Sequence, residues 1–485
     1  MQYLSTRGFS PQVDSAQAVL TGLAPDGGLY LPAQMPEFSW TDCVKADVLN
    51  MAEMILSAFL PDIPNMQTLV SKAYTGKFDT PELTPTVPVG DFHVLELFRG
   101  PTSAFKDVAL SMLPQLMTAA KTAKGETKDI LILTATSGDT GKAALEGFRD
   151  VDGIRVCVFY PHGGVSQVQR RQMVSQEGSN VAVCGIYGNF DDAQTGVKEI
   201  FTAFEEKQLP FRLSSANSMN IGRLVPQITY YFKAYRDLLD KKVISLGDEV
   251  NFSVPTGNFG DILAGYLAKL LGLPVGRLLC ASNANNVLTD FILTGCYDRR
   301  RPLHKTASPS MDILVSSNLE RLLALLCGDS ATVAQWMQQL STQGYYQIPR
   351  QLLEKIQKQF WAGCCTDEEG ADAIARVWSR YGYLCDTHTA SGWAVAEDYV
   401  NQTRDRRPMV VLSTASPYKF PAAVLSAIGE QAAGDEFAQM EQLHGATGVK
   451  IPKNLSNLRQ KPELHQTVIE KDAMCTFVLS LKKEN

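Results

Sequence analysis

The sequence predicts an α/β protein whose parallel sheets are covered by helices on both faces, and three observations predict it. Short apolar runs recur along the chain, at Ile130-Leu131-Ile132-Leu133, Ile154-Arg155-Val156-Cys157-Val158-Phe159, Val181-Ala182-Val183-Cys184, Phe252-Ser253-Val254 and Met409-Val410-Val411-Leu412. Strands of this composition suit a sheet buried on both sides. The runs are bounded by turns and alternate with helical patterns, as where Thr136-Ser137-Gly138-Asp139-Thr140-Gly141 leads into Lys142-Ala143-Ala144-Leu145-Glu146. In such folds ligands bind beyond the carboxyl ends of the strands, where the glycine turns fall.

The chain of 485 residues divides by texture into four parts. Residues 1–88 read as an N-terminal domain of short helical patterns, closed by the proline-rich joint Pro81-Glu82-Leu83-Thr84-Pro85-Thr86-Val87-Pro88. Such a joint is an extended connection between units. Residues 89–215 read as a smaller α/β lobe and residues 216–428 as a larger one. Within the larger lobe the alternation stops between Asp312 and Tyr383, and the helical spacing of Asn318-Leu319-Glu320-Arg321-Leu322-Leu323-Ala324-Leu325-Leu326 predicts a helical insertion there. Residues 429–485 form a weakly patterned C-terminal segment to which the sequence assigns no role. Pro114 falls inside the helix expected after Lys106 and should end or kink it.

Composition narrows the function classes. The formal net charge is -6, so no basic face is expected for nucleic acid or an anionic membrane. No apolar run reaches the length of a membrane helix, and Met1-Gln2-Tyr3-Leu4-Ser5-Thr6-Arg7 has no signal-peptide pattern. The ten cysteines include no CxxC pair, so reduced thiols in the cytoplasm are the expectation. The six histidines form no HExxH and pair with no cysteine at ligand spacing, so no metal site is expected.

Several constellations fit anion and amine chemistry. Pro255-Thr256-Gly257-Asn258-Phe259-Gly260-Asp261 follows a strand and opens a helix near Ile262. Its glycines let successive N–H groups converge on one spot at the positive end of a helix dipole, a site for a phosphate dianion. It lacks the lysine of a nucleotide P-loop and the spacing of a dinucleotide fingerprint; the plain alternative is a tight turn. Ser137, Gly138, Asp139 and Thr140 lie in a second loop of this kind, suited to a carboxylate or phosphate. An aspartate facing an anion is unfavourable, so Asp139 is expected to turn towards a donor; otherwise Ser137 or Asp139 is simply an N-cap. Lys106 is flanked by apolar residues, which lowers a lysine's pKa and suits it to bond a carbonyl carbon. The alternative is a snorkelling lysine paired with Asp107. Arg223 stands in the first turn of a helix opened by Asn217-Ser218-Met219-Asn220-Ile221-Gly222, against the dipole, as though to meet an anion. A surface arginine is the simpler explanation. The hydroxyls of Asp386-Thr387-His388-Thr389-Ala390 are either caps or ligand contacts.

Together these motifs resemble the threonine synthases, a family of pyridoxal-phosphate enzymes of fold type II. The resemblance runs nearly end to end, from Tyr3-Leu4-Ser5-Thr6-Arg7-Gly8 and Gly22-Leu23-Ala24-Pro25-Asp26-Gly27-Gly28-Leu29-Tyr30 to Leu412-Ser413-Thr414-Ala415. It implies parallel-sheet lobes with an N-terminal extension and pyridoxal 5'-phosphate as cofactor. Lys106 then corresponds to the lysine that carries the cofactor and moves protons. Gly257, Asn258, Phe259, Gly260 and Asp261 correspond to the holders of its phosphate, mainly through backbone N–H groups. Thr389 corresponds to the partner of its ring nitrogen. Ser137, Gly138, Asp139 and Thr140 correspond to the receivers of the substrate carboxylate, and Arg223 meets the substrate phosphate. The implied reaction converts O-phosphohomoserine and water into threonine and phosphate, by a lone chain or a homodimer. Alternatives are a related phospho-lyase releasing 2-oxobutanoate, a serine or threonine dehydratase, and a cofactor-binding protein without turnover. The intact Gly257–Asp261 loop favours the synthase. Arg99 stands where relatives often have His, and Thr387 where Pro is common, both at the rim of the expected site.

Overall fold

The computed structural model describes residues 1–136, 138–205 and 211–481. Two sheets organise the described residues. The first has five parallel strands in the order Val468–Glu470, Val181–Tyr187, Ile154–Pro161, Asp129–Ala135, Phe211–Ser214. The second has six, in the order Phe360–Cys364, Val275–Ser282, Val250–Pro255, Met409–Ser413, Phe92–Glu96, Thr86–Val89, and only the last pairing is antiparallel. All five strands expected from apolar runs are present. Val250–Pro255 and Met409–Ser413 are buried at every residue because helices lie on both faces. Their carboxyl ends lead straight into the residues singled out by the sequence.

Several boundaries differ from the sequence expectation. Residues 89–96 were expected in the smaller lobe, yet Phe92–Glu96 pairs in parallel with Met409–Ser413 in the six-stranded sheet. A strand hydrogen-bonds to a neighbour more than 300 residues away, and no local pattern encodes that choice. The expected helical insertion, 312–383, does contain helices Leu319–Cys327, Ser330–Thr342, Arg350–Gln359 and Asp367–Tyr381. It also contains Phe360–Cys364, the edge strand of the larger sheet. This Phe-Trp-Ala-Gly-Cys segment follows a helix without a break, which hides it from periodicity. The C-terminal segment supplies an edge strand, Val468–Glu470, to the five-stranded sheet. Its helix Met474–Ser480 packs on Phe190–Glu205.

The helix bearing Lys106 runs unbroken from Lys106 to Ala123, through Pro114. The expected break does not occur because the helix is buried along most of its length, and tertiary packing outweighs a penalty of about 3 kcal/mol. Pro114 has no N–H to offer the preceding turn, and Gly147 of the Asp139–Phe148 helix packs against the carbonyl of Leu110. A Cβ at Gly147 would lie 2.0 Å from that oxygen. The N-terminal domain braces this arrangement: helix Met66–Tyr74 packs on Lys106–Ala123, and helix Val48–Phe59 on Ile221–Asp240.

Candidate active site

The turn after Val250–Pro255 is held by its carbonyls. Ser316 Oγ donates to Gly257 O at 2.8 Å, while Asn318 donates to Asn258 O from its backbone (3.1 Å) and its side chain (3.0 Å). In a trans peptide the N–H points opposite to the C=O, so the N–H groups of Asn258 and Phe259 face away from these anchors. They have no acceptor among the described residues. Phe259 adopts φ +61, and Gly260 then starts the helix Gly260–Leu270. Gly257 is required by close approach, since a Cβ there would sit 2.7 Å from Ser310 O. Unpartnered N–H groups at a helix N-terminus are the chemistry of an anion cradle. The Asp261 side chain turns away from it, accepting from Tyr230 Oη at 2.6 Å and Tyr231 Oη at 3.1 Å, and burial raises its pKa to about 6.

A chain of contacts joins this cradle to the other motifs. Beside Gly257, the Ser310 N–H donates to His388 Nε2 at 3.2 Å. That bond places an imidazole hydrogen on Nδ1, which donates to Asp386 Oδ2 at 2.7 Å. Asp386, fully buried, also caps the helix Thr387–Thr403 and accepts the Thr389 hydroxyl on Oδ1. Thr389 Oγ1 lies 3.0 Å from Ser413 Oγ. Because the Thr389 hydrogen is committed to a carboxylate, Ser413 is the donor of that pair.

Ser413 begins the segment that positions Lys106. Leu97 N donates to Ser413 O, Phe105 N to Thr414 O and Ser416 N to Ser103 O, at 2.9, 2.8 and 3.1 Å. Ser103 is held at φ +59, and its hydroxyl donates to Asn454 Oδ1 at 3.0 Å, so the C-terminal segment clamps the approach to Lys106. Two non-glycine residues in left-handed conformations, Ser103 and Phe259, thus flank the site, where such strain commonly accompanies function. Lys106 is the first residue of its helix, its Nζ 4.6 Å from the Phe105 ring centre. Burial brings its pKa down to about 8, opposed by Asp139 and reinforced by Lys419 and Arg223.

Asp139, first residue of the Asp139–Phe148 helix, does turn to donors. Its Oδ2 is 4.0 Å from Lys106 Nζ, and its Oδ1 accepts from Lys419 Nζ and from Gln169 Nε2 at 3.0 Å. Those cations hold its carboxyl well below the usual range despite burial. The turn before it is built by Thr136 Oγ1, which accepts from Gly138 N and Gly141 N, both at 2.9 Å. Gly138 has φ +141 and Thr140 is half-buried in the first helical turn. Ser137 lies outside the described residues.

Arg223 is no surface arginine: it is 3% exposed, in the first turn of Ile221–Asp240. Its Nη1 donates to Ala216 O at 2.8 Å, its Nε has no partner, and it forms no ion pair among the described residues. Burial pushes its pKa down to about 10. A buried, uncompensated guanidinium is costly unless an anion joins it.

Sequence reasoning missed Lys419, Asp386 as the holder of Thr389, and the Ser316–Asn318 anchor. Lys419 had one available sign, its place just past the apolar Met409-Val410-Val411-Leu412 run. Among the described residues no group of acidic, histidine or cysteine side chains is arranged to hold a metal, and no helix is long and apolar enough to cross a membrane.

Comparison with known proteins places the chain in a family. Residues 78–415 match the family "Pyridoxal-phosphate dependent enzyme", residues 2–74 match "Threonine synthase N terminus", and residues 389–476 match "Threonine synthase, C-terminal". A threonine synthase of Pseudomonas aeruginosa is 40% identical over 87% of this chain and 90% of its own length. A solved threonine synthase from Brucella melitensis, described as pyridoxal-phosphate bound, superposes with TM-score 0.88 at 38% identity over 100% of both chains. "Threonine synthase-like 1" of Macaca fascicularis is 38% identical over 94% of this chain, which spans 62% of that relative's length. The class is therefore that of the pyridoxal-phosphate-dependent enzymes. Within it, the chain belongs to the threonine synthase family.

The residues present fit that cofactor. The Gly257–Gly260 turn offers unpartnered N–H groups for its phosphate, and Lys106 offers a buried amine whose pKa burial lowers to about 8. At the Thr389–Ser413 pair the Thr389 hydrogen is held by Asp386, so the hydrogen available to a ring nitrogen is that of the Ser413 hydroxyl, turned from Thr389.

Proposed function

We propose that the chain is a threonine synthase, a carbon–oxygen lyase that converts O-phospho-L-homoserine and water into L-threonine and inorganic phosphate. The observation that carries the proposal is Arg223, a buried guanidinium with no counter-ion whose charge reaches Lys106. A substrate that brings its own phosphate supplies the missing anion.

Pyridoxal phosphate, bound at Lys106 and the Gly257–Gly260 turn, supplies the electron sink that makes the α and β carbons of an amino acid acidic. The chain's residues do the rest. Lys106 removes and returns protons at those carbons, its pKa of about 8 suiting both directions near neutral pH. Gly138 shapes the turn, its N–H held by Thr136, and the N–H groups of Asp139 and Thr140 receive the substrate carboxylate at a helix N-terminus. Arg223 binds the γ-phosphate and neutralises the charge that grows as phosphate leaves. A ring nitrogen here would meet the Ser413 hydroxyl, held in place by Thr389, rather than a carboxylate, which moderates the electron sink. The second reading is a phospho-lyase that releases 2-oxobutanoate; some relatives are named threonine synthase-like 1 rather than threonine synthase, so the family alone does not choose between the two.

Arg223→Met keeps the side-chain volume and removes the charge. It is expected to lower kcat/KM for phosphohomoserine by about ten- to a hundredfold, the range of a charge-assisted hydrogen bond, with cofactor affinity unchanged. Steady-state kinetics beside a cofactor titration checks this. Unchanged kinetics with reduced thermal stability would make Arg223 structural and remove the proposal's main support.

A further inference from the structure

We propose that Lys419 is a positioning residue for Lys106, acting through Asp139: the Lys419–Asp139 ion pair fixes where the Lys106 amine rests and how tightly it holds a proton.

The geometry carries this. Lys419 ends the short Pro417–Lys419 turn, with a side chain 0% exposed, and ion-pairs with Asp139 Oδ1, whose side chain is 2% exposed. Lys419 Nζ also donates to Thr102 O at 3.2 Å, and Gln169 Nε2 donates to Asp139 Oδ1. Asp139 therefore cannot swing, and its free oxygen, Oδ2, is the one 4.0 Å from Lys106 Nζ. A buried ion pair adds little to stability compared with apolar side chains of the same volume, so the fold alone does not call for one here.

Charge balance explains the pair. When Lys106 is uncharged, Asp139 and Lys419 cancel and the pocket floor is neutral. When Lys106 gains a proton, an anion already stands beside it and nothing has to reorganise. With Asp139 alone the ammonium would be held too firmly to return its proton, and Lys419 offsets that attraction. The other charged groups acting on Lys106 are Arg223 from the Ile221–Asp240 helix, Asp107 on its own helix and Asp261 from Gly260–Leu270. Asp107 is occupied by Thr102, through its N–H at 2.8 Å and its hydroxyl.

The proposal rests on Lys106 carrying the cofactor but not on the identity of the substrate. Its test is a pH titration of the visible absorbance of full-length holoenzyme, which follows protonation of the Lys106 nitrogen. Lys419→Met removes a cation, favours the protonated form and raises the midpoint; Asp139→Asn removes an anion and lowers it. Each shift is expected at about one to three pH units. Each single change leaves a buried charge unpaired, so the double variant Lys419→Met with Asp139→Asn is the one most certain to fold. Its midpoint is expected between those of the singles, with kcat reduced and KM little changed. Singles that shift the midpoint in the same direction or not at all, or a double variant with the parent kcat, would overturn the proposal. Borohydride reduction of the same samples separates the two layers: an adduct on a lysine other than Lys106 overturns the cofactor placement and this proposal together.

Discussion

Lys106→Ala is expected to lower threonine formation by at least about 10²–10⁴-fold, the range lost when a positioned proton carrier is removed. Borohydride should fix pyridoxal phosphate to Lys106 in the parent and to no residue in the variant. The protein should still fold. Asp139 keeps Lys419 and Gln169 as partners, and a buried lysine that loses charge stabilisation on folding is no great support to the structure. Peptide mapping, kinetics and a thermal melt on the same preparation check all three statements. An adduct on a different lysine in the parent, or full activity in the variant, contradicts the assignment.

The second large effect is expected at Thr389, where the structure changes the choice of variant. A sequence-based test would exchange Thr389 for Asp, to offer a carboxylate to the ring nitrogen. In the folded chain Thr389 Oγ1 donates to buried Asp386, so Thr389→Asp would set two carboxylates together out of water. Such a pair holds a proton between them or drives the segment apart, and the result would report on Asp386 as much as on the cofactor. Thr389→Val keeps the shape and removes only the hydroxyl. It should lower kcat by about ten- to a hundredfold, because a hydrogen bond to a charged acceptor is lost and Ser413 loses its acceptor. Thr389→Ser should retain most activity. If Thr389→Val is as fast as the parent, Ser413 becomes the candidate for the ring nitrogen.

The parts of this site that were legible in the sequence are those written locally. The Pro255-Thr256-Gly257-Asn258-Phe259-Gly260-Asp261 turn announces itself because glycines and a helix start sit side by side, and the buried strands do so because both faces are apolar. Lys106 stood out among apolar neighbours. The missing parts depend on partners remote in the chain. Lys419 meets Asp139 across 280 positions, and Asn454 reaches Ser103 from the C-terminal segment. Phe360–Cys364 becomes a strand only because Val275–Ser282 offers it an edge. Pro114 shows the converse: it does not end its helix, because of burial that local sequence does not display.

The measurement that tests the account most directly is a turnover of O-phospho-L-homoserine by the holoenzyme in ¹⁸O-labelled water, with both products followed by mass spectrometry. The expected products are L-threonine and phosphate in equal amounts, with the label on the threonine hydroxyl and unlabelled phosphate, because the carbon–oxygen bond breaks and water adds at the β carbon. Release of phosphate with 2-oxobutanoate as the main carbon product would contradict it and assign the chain to the phospho-lyases.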